Sequence, residues 1–184
     1  MIGWPVFGIP MVLGWTGRYH RLQQFTLAFA IALIVTTVLS GLLPAIGTYA
    51  YFHLWPDPSV FSTGSYATSA DSVPLLRDGT MRVLDITQLV GIVTFPSFHT
   101  CAAVLYLWAF WPVRWMRPLL LASNGMLLIA TPIGGGHYFI DMIAGAAIAV
   151  LAIAAAKWLA ARLTRDADTP IAAVNIPGAA VPAE

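Results

Sequence analysis

The chain has 184 residues, of which 59% are apolar, 12% aromatic and only 9% charged, with a formal net charge of +1. A soluble domain carries about 25% charged residues, so this composition excludes an ordinary soluble protein and points to a single integral membrane domain. The near-zero net charge gives no sign of a nucleic-acid partner, and one cysteine, Cys101, excludes an intrachain disulfide and a multi-cysteine metal site.

In chain order, apolar segments fall near 2–16, 22–47, 98–113, 118–133 and 138–164. The first is short and broken by Gly3, Pro5, Gly8, Pro10 and Gly14; it is compatible with a remnant of a longer region, a half-helix or a re-entrant piece. No basic segment precedes it, so no cleavable signal peptide is expected. The second and fifth are long enough to span a bilayer with some tilt. The third and fourth, at about 16 residues, fit only as neighbours inside a bundle. Cys101, in the third, reads as a small buried residue. The expected fold is all-α: a polytopic transmembrane helix bundle of about five crossings. A single domain over 1–165 is followed by an Ala/Pro-rich tail, 166–184, expected to be disordered.

Cations set the topology. Arg18, Arg21, Arg114, Arg117, Lys157, Arg162 and Arg165 fall on one side if the first segment runs outside to inside, leaving Arg77 and Arg82 on the other. That split follows the positive-inside rule. Trp15, Trp108, Trp111, Trp115 and Trp158 sit near the same inner boundary. The outer side then receives a loop over 48–97, rich in Ser, Thr, Pro, Asp and Gly to residue 80, with a short interfacial helix expected over 81–90. Such a length is uncommon unless the loop is a lid or a site.

Two segments carry chemistry on that outer side: Pro96-Ser97-Phe98-His99 and Gly134-Gly135-Gly136-His137-Tyr138-Phe139-Ile140-Asp141. Ser97 is a natural N-cap for a helix from Phe98, placing His99 in the first turn. The glycines lead into a second helix near His137. Both helices aim N-termini outward, a setting that favours an anion such as phosphate. Glycines also permit close backbone approach, so Gly135 and Gly136 are candidate phosphate contacts together with Ser97.

His137 and Asp141 share a helix face. A carboxylate there accepts from one imidazole nitrogen and frees the other as a nucleophile or base. His99 would protonate a leaving oxygen. The helix N-terminus disfavours its cation and a bound phosphate dianion favours it, so His99 is expected to gain its proton when substrate binds. Arg77 and Arg82 are candidates to clamp phosphate oxygens. Against them stand a turn at Arg77-Asp78-Gly79 and a headgroup-anchoring role for Arg82. His20 and His53 read as boundary residues, and Gly145 as a packing glycine.

These residues resemble the type 2 phosphatidic acid phosphatase and haloperoxidase superfamily. Pro96, Ser97 and His99 match its Pro-Ser-Gly-His motif, with Phe98 in place of glycine. His137 and Asp141 match the second half of its Ser-Arg, five residues, His, three residues, Asp motif. Ala130 and Thr131 occupy the Ser-Arg places. The first motif, Lys, six residues, Arg-Pro, is not present as such. Pro-Ser-Phe-His with Gly-Gly-His-Tyr-Phe-Ile-Asp is similar to the inositol phosphorylceramide synthase branch, and the resemblance covers roughly 75–150. It implies six crossings, no metal or other cofactor, a phosphohistidine on His137, orientation of His137 by Asp141, and His99 as the acid.

The expected function is a membrane phosphoesterase that hydrolyses a lipid phosphate or diphosphate at the outer face of a plasma or inner membrane. Its partners would be that substrate and membrane lipids. A phosphotransferase moving a headgroup onto a lipid hydroxyl uses the same residues. An inactive membrane module is the remaining alternative.

Overall fold

The computed structural model describes residues 3–54, 73–75, 77–80, 82, 94–133 and 136–168. The loop reading of 48–80, the interfacial helix expected over 81–90 and the expected disorder of 169–184 lie wholly or mostly outside these residues. Within them the chain is helical, without strands: α1 (Gly3–Trp15), α2 (Tyr19–Leu42), α3 (Thr48–Tyr51), α4 (Phe98–Phe110), a 3₁₀ turn (Arg114–Met116), α5 (Arg117–Ile133) and α6 (Phe139–Asp168). Three stretches are long and apolar enough to cross a membrane: Tyr19–Leu42, Arg114–Ile133 and Phe139–Leu163. Trp4–Trp15 and Phe98–Phe110 are shorter apolar helices.

Local chemistry explains the boundaries. The first apolar segment is a continuous helix over Gly3–Trp15 despite its prolines. Pro5 lies in the first turn, where its missing N–H loses no bond. α2 stops at Leu42 because Leu43 precedes Pro44, and a residue before proline is steered away from helical geometry. α4 begins where Ser97, extended at φ −69° and ψ 105°, turns its side chain onto the Thr100 N–H. α6 continues to Asp168, beyond the expected tail boundary at 166.

The core is built around α4. Cys101, Ala102, Ala103, Leu105, Tyr106, Ala109 and Phe110 are all fully buried, and α2, α5 and α6 each pack against this helix. Its shortness is therefore matched by its enclosure. α1 lies against α2 and α4, inserting Ile9 and Leu13 into the same core. An aromatic cluster joins α2 to α4: Phe29 stacks on Tyr106 with centroids 6.4 Å apart and meets Phe98 edge-on at 5.7 Å.

Direction follows from the contacts at each end. His99 of α4 meets His137 at one end, and Trp108 of α4 meets Lys157 of α6 at the other. α4 and α6 therefore run parallel. α5 is the return crossing between them.

A close backbone approach joins the N-terminal ends of those two helices. The Ser97 N–H donates to the Asp141 carbonyl at 3.0 Å. Gly145, one turn further along α6, faces the same backbone; a Cβ there would stand 2.2 Å from the Ser97 carbonyl oxygen. Gly145→Ala must therefore push α6 away from α4, at a cost of about 1–3 kcal/mol, the usual scale for overpacking. Gly125→Ala in α5 meets nothing within 4 Å and should gain up to about 1 kcal/mol from helix propensity. Thermal unfolding in detergent checks the contrast, and equal melting temperatures for the two variants would count against it.

Candidate active site

The His99 and His137 rings stand 5.6 Å apart between centroids, inclined at 65°. They reach this position from different elements. His99 is in the first turn of α4, and His137 precedes α6 by two residues. The α4–α6 backbone contact holds the two segments in register. His137 is buried, at 7% exposure, whereas His99 is exposed.

His137 Nδ1 lies 2.6 Å from the Thr94 carbonyl oxygen. A carbonyl only accepts, so Nδ1 carries the hydrogen and donates it. Nε2 is left with its lone pair. Asp141 Oδ2 is 3.7 Å from the same Nδ1, within ion-pair reach but beyond ordinary hydrogen-bond length. That carboxylate oxygen accepts instead from the Tyr138 N–H at 2.7 Å. The residue before α6 thus has its N–H satisfied by the third helical residue, one half of a capping box. Asp141 is 2% exposed and orders the segment that carries His137.

Burial sets the protonation of His137. Removal from water disfavours the imidazolium and lowers the pKa below the usual imidazole value, while the Thr94 carbonyl opposes that shift in part. The net direction is downward, so the neutral, nucleophile-competent form dominates at pH 7.

The other expected site residues fall in several places. Ser97 is fully buried, and its Oγ is engaged at the α4 N-terminus with Thr100. Gly136 has open space where a side chain would go. Gly135 lies outside the described residues. Arg77 and Arg82 are exposed, and no ion pair involves either among the described residues. Arg77 is helical and leads into a tight turn, in which Gly79 adopts φ +74° and Asp78 accepts from the Thr80 N–H and hydroxyl. Ala130 is exposed, and Thr131 is buried with its hydroxyl donating to the Leu127 carbonyl of its own helix. Neither supplies a cation. Among the described residues no three His, Cys, Asp or Glu side chains gather as a metal site.

One contributor escaped the sequence reading: Thr94 acts through its main-chain carbonyl, which leaves no signature in residue type. Gly145, expected as a packing glycine, packs against the Ser97 carbonyl of α4, a long-range partner that no local pattern names.

Chemically, the site offers one buried neutral imidazole with a fixed tautomer, a second exposed imidazole beside it, and two helix N-termini. The Thr100 N–H is taken by Ser97 Oγ and the Asp141 N–H by the Tyr138 carbonyl; the N–H groups of Phe98, His99, Phe139 and Ile140 at those ends suit an anion. The chain matches the family model described as the PAP2 superfamily over residues 1–155. No curated protein and no solved structure matches it.

An NMR titration of ¹⁵N-histidine protein should place the His137 midpoint below the unperturbed value of about 6.5, with the Nδ1–H tautomer on the basic side. A midpoint at or above that value would contradict the burial argument. Asp141→Asn keeps an acceptor for the Tyr138 N–H and should leave that tautomer unchanged. Asp141→Ala should cost about 1 kcal/mol of stability, the usual scale for a lost cap.

Proposed function

The chain belongs to the PAP2 superfamily, and from that membership and the paired imidazoles we propose a membrane phosphoesterase that hydrolyses a lipid phosphate or diphosphate. The observation that carries the reading is the Thr94 carbonyl on His137 Nδ1, which leaves Nε2 as an unprotonated nucleophile beside His99. In this mechanism Nε2 attacks phosphorus, forms an N–P bond and displaces the lipid oxygen. His99, in its protonated form, gives a proton to that leaving oxygen. Water then attacks the phosphohistidine, with the now neutral His99 taking its proton, and releases phosphate.

Charge on the phosphoryl oxygens needs stabilisation. In this reading it comes from the first-turn N–H groups of α4 and α6, the backbone around Gly135 and Gly136, and Arg77 or Arg82 brought to the bound phosphate. Cation placement along the sequence supports a site on the outer face, in a plasma or inner membrane. The phosphotransferase alternative rests on Phe98, where the general family motif has glycine. It keeps the same first step and replaces water with a lipid hydroxyl.

Phosphate release from short-chain phosphatidic acid and from an isoprenyl diphosphate in detergent tests the proposal. His137→Ala should lose at least about 10³-fold in turnover, since loss of a nucleophile removes nearly the whole effect of its unit. His99→Asn should lose about 10²–10⁴-fold, the range for a general acid. Full activity in His137→Ala would end the phosphohistidine mechanism. Asp141→Asn separates two roles for that carboxylate. A cap predicts retention within about tenfold, whereas an obligatory orienting acid predicts a loss nearer the ~10⁴-fold seen when such a group fails. Free inorganic phosphate formed without any lipid acceptor favours hydrolysis; phosphate transferred only to an added lipid alcohol favours the alternative.

A further inference from the structure

The end of the bundle opposite the histidines has its own organisation. Arg21 of α2 lies over the Trp108 indole at 3.8 Å from the ring centroid, and Lys157 of α6 approaches the same ring at 5.8 Å. Arg21 also donates to the Trp108 carbonyl, while its Nε–H is enclosed without an acceptor. One indole on α4 thus gathers cations from the two helices that flank it.

Among the described residues no ion pair involves Arg21 or Lys157. The next acidic residues along α6, Asp166 and Asp168, come nine and eleven positions after Lys157, roughly 14 and 16 Å of helix rise away. Two like charges sharing one ring at a membrane boundary repel, and an enclosed donor without an acceptor costs free energy. The repulsion is relieved by a single anion placed between the two cations. Trp15, Trp111, Trp115 and Trp158 are exposed around this end, as in an interfacial belt at headgroup depth.

We propose that Arg21, Trp108 and Lys157 form a binding site for the phosphate of an anionic glycerophospholipid, which bridges α2, α4 and α6 at the end remote from the histidines. Basic pockets between transmembrane helices suit such headgroups. The lipid's chains would lie along the apolar outer faces of the helices while its phosphate sits between the Arg21 and Lys157 charges. This site is independent of the reaction proposed above.

The test is thermal unfolding in nonionic detergent, titrated with phosphatidylglycerol, phosphatidylcholine or inorganic phosphate. Phosphatidylglycerol should raise the melting temperature saturably, by roughly 5–10 °C at a hundredfold excess over its dissociation constant. Phosphatidylcholine and inorganic phosphate should not. Lys157 is exposed, so Lys157→Gln should fold normally and weaken the half-saturating concentration about fivefold, the effect of one cation near an anionic headgroup. Arg21→Gln is the second variant and should abolish the saturable shift. Arg162, which lies over Trp158 at the same end, is the control, and Arg162→Gln should leave half-saturation unchanged. Equal shifts with phosphatidylcholine, an equal shift with inorganic phosphate, or equal losses in Lys157→Gln and Arg162→Gln would each overturn the assignment.

Discussion

The contact between the beginnings of α4 and α6 is the constraint on which the remaining geometry depends. The Ser97 N–H meets the Asp141 carbonyl, and Gly145 lets the two backbones come that close. Parallel helices repel at like ends through their dipoles, so bringing two N-termini together is unfavourable without compensation. Asp141 supplies part of it, as a carboxylate in the first turn of α6. An anion bound between the two ends would supply more. The architecture thus stores a preference for negative charge at the place where the imidazoles meet.

The same contact explains how His137 is held. Its ring is fixed by a main-chain carbonyl that precedes α4, and the carboxylate beside it is turned to the backbone of its own segment. A carbonyl orients and fixes the tautomer, but it brings no full charge with which to stabilise an imidazolium. Nucleophilicity in this arrangement rests on burial and on a pre-set tautomer more than on a charged relay.

Much of this was readable from residues alone. Long apolar runs and sparse charge gave the helical membrane architecture, and Ser97 gave the start of α4. The helix expected from near His137 begins only at Phe139, and Asp141 accepts from the Tyr138 N–H rather than from the imidazole. The limits of the reading were also physical. Pro5 and Pro10 looked like breaks, yet a proline in the first turn costs a helix nothing, and Pro10 sits inside a helix that the packing of Ile9 and Leu13 holds to the core. The enclosure of α4 was not visible in its composition, because a central helix and a lipid-facing helix are equally apolar. The partner of His137 Nδ1 was hidden because every residue owns a carbonyl. The pairing of Arg21 with Trp108 joins positions 87 residues apart, beyond any local pattern. Arg77 and Arg82 remain tied to no histidine contact, and the stretch that connects them to Thr94 lies outside the described residues.

Cys101 illustrates what the packing around α4 offers to the experimenter. It is the sole cysteine of the chain and is fully enclosed by neighbouring helices. A bulky, water-soluble maleimide has no path to it while the bundle is folded. The unmodified protein is therefore already a silent background for site-directed labelling: a thiol introduced at any exposed position reports alone. Slow exposure of Cys101 itself, in turn, times the opening of the innermost helix and gives an internal clock for unfolding within detergent or lipid.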